Sequence, residues 1–134
     1  MKIWKKILVY YFVGASAITI VAFLMAKEIV LFIFEDGSYV EYINILQILI
    51  FTIPCIAVSN VLGGLFMLPN HMEKQASNIL LMAGIFNVLA SLVMVKFFGI
   101  LGMAQVVLIV EFLILILMSY FVVIKIRGIY YVNA

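Results

Sequence analysis

Charge is what this chain has least of. Only 10% of its 134 residues are Asp, Glu, Lys or Arg, and the net charge of +2 is small and scattered along the chain. A soluble domain carries about a quarter charged residues, so this composition does not build a water-facing surface. The scatter also argues against nucleic acid as a partner. One cysteine and one histidine exclude a disulfide framework and a His/Cys metal centre built within one chain. Soluble-enzyme constellations are missing as well: there is no phosphate-binding glycine loop, no paired catalytic carboxylates and no nucleophile with a matching base. Gly63-Gly64 lacks the preceding strand and following lysine of a nucleotide loop. Neither an enzymatic activity nor a cofactor or metal is expected.

What the chain has instead is apolar sequence, with 69% hydrophobic residues and long runs without a charge. Spanning β-strands need alternating polar and apolar positions, and these runs do not alternate. At roughly 20 residues per crossing, the length supplies about four transmembrane helices with short connections. The expected fold is all-α, a polytopic membrane protein whose four-helix bundle forms one module over residues 1–134. The expected spans are 7–26, 43–68, 76–95 and 103–124.

Lys2, Lys5 and Lys6 precede the first apolar run, in which Ala15-Ser16-Ala17 resembles a signal-cleavage site. The run continues through Ile18 to Met25 to the length of a full span, so an uncleaved first helix is the better reading. Ile29 to Phe34, beyond Lys27-Glu28, is too short to cross and reads as a continuation of that helix or an interfacial segment. Glu35-Asp36-Gly37 is an aqueous turn, and Ser38-Tyr39-Val40-Glu41 has capping-box spacing, placing the next helix start near Tyr39.

Pro54 should kink the second span by removing a backbone hydrogen bond, and Gly63-Gly64 allows close approach or a second bend. Pro69 should end the span, because the residue before a proline avoids helical geometry. Asn70-His71-Met72-Glu73 repeats the cap-to-glutamate spacing, which places the third helix start at His71. Within that helix Ala83, Asn87 and Ser91 recur every fourth position as a small and polar stripe suited to close helix packing. Gly99 and Gly102 form a short reversal into the last helix.

Lys2, Lys5, Lys6, Lys74, Lys125 and Arg127 fall on one side of this topology, and Lys27 and Lys96 on the other. The positive-inside rule makes the first side cytoplasmic and puts both termini inside. Trp4, Tyr10, Tyr120, Tyr130 and Tyr131 would mark the inner interface, and Tyr39, Tyr42, Phe97 and Phe98 the outer.

The strongest candidate for function is Glu111, the single charge in the run from Met103 to Ile124. Counted from Gly102 it lies about 13 Å along the helix, near the bilayer midplane. A carboxyl there is either a proton- or ion-responsive group on a substrate path, or a structural group bonded to Asn87, Gln105 or another helix. Asn87, Gln105 and Asn60 are further substrate-path or inter-helix polar candidates. Lys27 and Lys96 are basic groups able to draw an anionic lipid head group or simply to anchor the interface. Cys55 reads as a small packing residue and His71 as a solvated turn residue.

Two stretches carry a resemblance to a family: Gly64-Leu65-Phe66-Met67-Leu68-Pro69-Asn70-His71-Met72-Glu73-Lys74, and Lys96-Phe97-Phe98-Gly99-Ile100-Leu101-Gly102-Met103-Ala104. With Asn87 between them and Glu111 after, they resemble the closing portion of bacterial polysaccharide exporters. These are the O-antigen and lipid-linked oligosaccharide flippases of the multidrug/oligosaccharidyl-lipid/polysaccharide superfamily. Glu28 to Phe34, followed by Gly37 and Tyr39, is similar to the helix exit and outward turn of that family. The resemblance implies a bacterial inner-membrane protein corresponding to most of the second lobe of a two-lobed transporter. It also implies an undecaprenyl-diphosphate-linked oligosaccharide as cargo. Missing N-terminal spans, or further copies of the chain, would be needed to close a cavity, and membrane lipid is the surrounding partner. The alternatives are a small oligomeric four-helix transporter and a non-transporting membrane subunit or scaffold.

Overall fold

The computed structural model describes residues 3–33 and 40–132, with side chains placed at 6–33 and 42–128. Helix α1, Ile3–Leu24, is followed after one residue by α2, Ala26–Ile33. The helical ladder runs across the join: the Met25 N–H donates to the Val21 carbonyl at 3.0 Å, and the Ile29 N–H to the Met25 carbonyl at 2.9 Å. The segment after Lys27-Glu28 is therefore a continuation of the first helix. Its buried residues, Ala26 and Val30, lie one turn apart, and α2 packs on α3, Val40–Ile50. The expected turn at Glu35-Asp36-Gly37 and the Ser38–Glu41 capping box lie outside the described residues. So do the side chains of Lys2, Trp4, Lys5, Tyr130 and Tyr131.

The middle of the chain is helical but irregular. α3 gives way at Phe51 to α4, Thr52–Asn60, then to a π-helical turn, Val61–Met67, and a 3-10 turn, Leu68–Asn70. Pro54 has no N–H for the Ile50 carbonyl and its ring crowds that group, so the ladder cannot run straight through. The break falls at Phe51, whose N–H bonds Ile48 three residues back at 3.2 Å.

Three expectations are corrected in this stretch. Helical geometry does not stop before Pro69: Leu68 has φ −61° and ψ −51°, and the proline sits within the first positions of the 3-10 turn, where its missing N–H has no helical role. The chain stops instead at His71, which is left-handed at φ 56° and ψ 41°. The N–H of Met72 bonds the Met67 carbonyl at 3.0 Å and that of His71 bonds Leu68 at 3.2 Å, the two closures of a Schellman cap with histidine in the usual glycine position. Second, Asn70 does not cap the next helix. Its side-chain amide donates back to the Phe66 carbonyl at 2.7 Å, and α5 begins at Glu73 rather than His71. Third, of the close approach or second bend that Gly63-Gly64 allows, the close approach is not made, and the pair lies instead in the π-helical turn. A Cβ on Gly63 would meet only the end of Met118 at ordinary distance, and one on Gly64 would meet open space.

Helix α5, Glu73–Val132, is broken at Gly99, where φ 61° and ψ −148° place the backbone in a region open to glycine alone. A Cβ on Gly102 would lie 2.7 Å from the Met94 carbonyl oxygen and 2.8 Å from Phe98 Cβ. Residues eight apart in a straight helix are separated by about 12 Å along the axis. The backbone therefore bends sharply at Gly99, and Gly102 lies against the turn that precedes it.

The core runs along two stripes of α5. Met72, just before the helix, then Ala76, Ile79 and Ala83 are buried on one side of the bend, and Val106, Val110, Ile114, Met118 and Val122 on the other. Leu62, Phe66 and the fully buried Met67 join the same cluster from the π-helical turn. The steps of three and four residues present one face of each helical segment. The exterior remains apolar, with Phe12, Ile18, Leu81, Leu89 and Phe97 all exposed, as a lipid-facing surface requires. Three helical runs are long and apolar enough to cross a bilayer: Lys6–Leu24, Tyr42–Asn70 and Glu73–Gly128. By length and composition the chain is an all-α membrane protein.

Candidate functional site

Glu111 lies in α5 beyond the Gly99 bend and is half-buried. Leu108 and Leu115, three residues before it and four after, share its face. Both line an apolar cleft of about 360 Å³ whose other walls include Phe12 of α1 and Phe51, Pro54 and Cys55 from the middle run. The cleft opens beside the interruption at Phe51, so the proline that breaks the ladder also shapes this wall. The Glu111 carboxyl is close enough to Cys55 for an electrostatic interaction. Among the described residues no side chain or backbone group hydrogen-bonds to Glu111 or pairs with it.

The other expected site residues do not converge on Glu111. The carbonyl oxygen of the Asn87 side chain accepts from the Ser91 hydroxyl at 3.1 Å, a bond within its own helix rather than across the bundle. Ala83 of the same stripe is in the core, while Asn87 and Ser91 are half-buried. Gln105 is half-buried, and Asn60 is exposed on the outside of α4. Lys27 and Lys96 are both exposed, and no ion pair among the described residues includes either. His71 and Glu73 stand 3.9 Å apart with both side chains largely in the open.

A second recess was not anticipated from the sequence. Tyr42, Asn44 and Ile45 at the start of α3 face Phe98, Gly99 and Leu101 at the bend across a crevice of about 450 Å³, with more polar lining than the cleft beside Glu111. Tyr42 and Phe98 were readable as interfacial aromatics, and their meeting is a tertiary fact. The remaining recesses are apolar grooves on the outside of single helices, one around Gly84 and one along Ala17–Ile29. Among the described residues, no three His, Cys, Asp or Glu side chains are grouped so as to hold a metal ion.

Comparison with known protein-family models, curated proteins and solved structures finds no match. The chemistry on offer is therefore read from the chain itself. It consists of a half-buried carboxyl next to an apolar cleft, and a more polar crevice where the Gly99 bend meets the start of α3.

Proposed function

We propose that this chain is a four-crossing wall module of a bacterial transporter that moves a lipid-linked oligosaccharide across the inner membrane, with both termini cytoplasmic. The observation that carries the reading is the setting of Glu111: a carboxyl without a hydrogen-bonding partner among the described residues, deep in an apolar run and beside a cleft between α1, the middle run and α5. Ionisable groups held at such depth mark substrate or ion pathways by default. The family-like order of Lys96-Phe97-Phe98-Gly99, Gly102 and Glu111 supports the same assignment.

The break at Gly99 supports the count of four crossings. The run Glu73–Val132 has 60 residues. As one straight helix it would be about 90 Å long, against a hydrocarbon core of about 30 Å. Divided at the bend, the run leaves 26 residues before Gly99 and 33 after it, each enough for one crossing but too few for two. The work is conformational rather than covalent: the wall tilts about its helix breaks, while protonation or pairing of Glu111 favours one of its states.

The test is complementation of a flippase-deficient bacterial strain by this chain, alone and joined to upstream spans of a related exporter. Export is expected only with the additional spans, and Glu111→Gln is expected to lower it by about tenfold or more, the loss of roughly 1.4 kcal/mol of coupling. Export that is unaffected by Glu111→Gln removes the carboxyl from the mechanism.

A second reading, an oligomer of this chain acting as a small transporter, draws on Asn60. Its amide lies on the outside of α4 within an apolar run, where a polar group in lipid gains from a hydrogen-bonding neighbour on another helix. Export by the chain alone would favour that reading.

A further inference from the structure

The segment between Phe51 and His71 carries two defects in one helical run, a broken ladder at Phe51 and a π-helical turn at Val61–Met67. A π-helical turn closes its hydrogen bonds one residue further along than an α-helix and so accommodates a surplus residue. Here the Leu68 N–H reaches the Gly63 carbonyl five residues back, while the Val61 N–H is shared between Ala57 and Val58. The downstream end is held by the buried Met67 and the Schellman closure onto Met72. The upstream end is interrupted: Pro54 leaves the Ile50 carbonyl without a helical donor, and the break at Phe51 is bridged by the Thr52 hydroxyl to the Leu49 carbonyl at 2.6 Å.

We propose that α4 is a rotatable segment, and that passing the surplus residue from the π-helical turn to the break at Phe51 turns α4 by one residue register and carries Asn60 from the outside of the bundle into it. With Met67 and the residues beyond it fixed, closing the turn to α-helical bonding moves each residue of α4 into the place of the one before it. That is a rotation of about 100° and a shift of about 1.5 Å. Asn60 is exposed and both its neighbours, Ser59 and Val61, are buried. A one-residue shift in either direction therefore buries the Asn60 amide on the side of α4 that packs against α1 and α5. Ile56, exposed in the present register, moves at the same time into the place of the buried Cys55, a wall of the cleft beside Glu111. The device thus exchanges a lipid-facing amide for an inward-facing one and a thiol for a larger aliphatic group at the cleft.

The glycines supply the test. Alanine fits at both Gly63 and Gly64 without a close contact, and alanine favours the α-helical form over the wider turn. Nitroxide labels are placed one at a time by Ile56→Cys, Asn60→Cys or Leu68→Cys in full-length chains carrying Cys55→Ser, and oxygen collision is measured in phosphatidylcholine vesicles. All three sites are exposed in the present register. With Gly63→Ala and Gly64→Ala together, collision at 56 and 60 is expected to fall by about threefold or more as those positions turn inward, while 68, on the fixed side, keeps its value. Unchanged collision at 56 and 60 overturns the proposal. Should the double-alanine chain fail to insert as helix, Gly63→Ala alone decides at the same three sites: a fall in collision at 56 and 60 with 68 unchanged supports the proposal, and unchanged collision at 56 and 60 overturns it.

Discussion

The middle run, Tyr42–Asn70, and the long run, Glu73–Gly128, are similarly apolar but are built in different ways. The middle run changes helix type twice and breaks once, whereas the long run is regular on either side of a single glycine. Irregular backbone at membrane depth frees carbonyl groups that lipid cannot satisfy. The middle run carries several side-chain bonds to its own carbonyls: the Thr52 hydroxyl donates to the Leu49 carbonyl at 2.6 Å, Ser59 to Ile56 at 3.1 Å and the Asn70 amide to Phe66 at 2.7 Å, with a weaker bond from the Cys55 thiol to Phe51 at 3.8 Å. In the long run the side-chain hydrogen bond is Ser91 to Asn87, which relieves no backbone group. The middle run is also the more enclosed of the two, with 33% of its most apolar stretch buried against 22%. Helix defects are placed where neighbouring helices and short polar side chains can absorb them.

The contrast can be broken most severely at the bend of the long run. Gly102→Val sets a branched side chain against the Met94 carbonyl and Phe98, and a loss of about 3 kcal/mol is expected in the unfolding free energy measured in detergent micelles. Gly99→Ala meets no neighbour within 4 Å, so its cost is backbone strain alone, about 2 kcal/mol. An equal cost at the two positions would show that steric approach at Gly102 is unimportant. In the middle run, Thr52→Val keeps the shape and removes the hydroxyl that serves Leu49, for an expected loss of about 1 kcal/mol. A neutral Thr52→Val would mean that lipid or water satisfies that carbonyl. The smallest change has the opposite sign: His71→Gly relieves a left-handed residue in the Schellman cap and should stabilise by about 1 kcal/mol, read as a higher unfolding midpoint.

Much of this was legible in sequence. Uninterrupted apolar runs identified the helices, Pro54 marked an interruption, and Gly99 with Gly102 marked a turn. Cap assignments fared worse. Asn70 followed by Glu73 reads as an N-terminal cap, but an asparagine amide can also serve the carbonyls of a helix that is ending, and the left-handed His71 decides between the two. Of the alternatives open for Glu111, a bond to Asn87 or Gln105 is not formed among the described residues, and the Asn87 carbonyl oxygen instead accepts from Ser91 one turn along its own helix. Nothing in a helical repeat distinguishes a bond along one helix from a bond across two. The Tyr42–Phe98 crevice was invisible for the related reason that its two sides are far apart in the chain.

By itself the sequence determined the class of the molecule: an all-α membrane protein, because unbroken apolar runs of sufficient length leave helix as the backbone state that satisfies every amide without water. It also determined that one acidic residue would lie deep within an apolar run. Tertiary structure alone decided the helix type at Val61–Met67, the left-handed stop at His71 and the cleft beside Glu111. Each depends on which backbone groups find partners and which side chains meet across the bundle, and those distances are set by packing rather than by spacing along the chain.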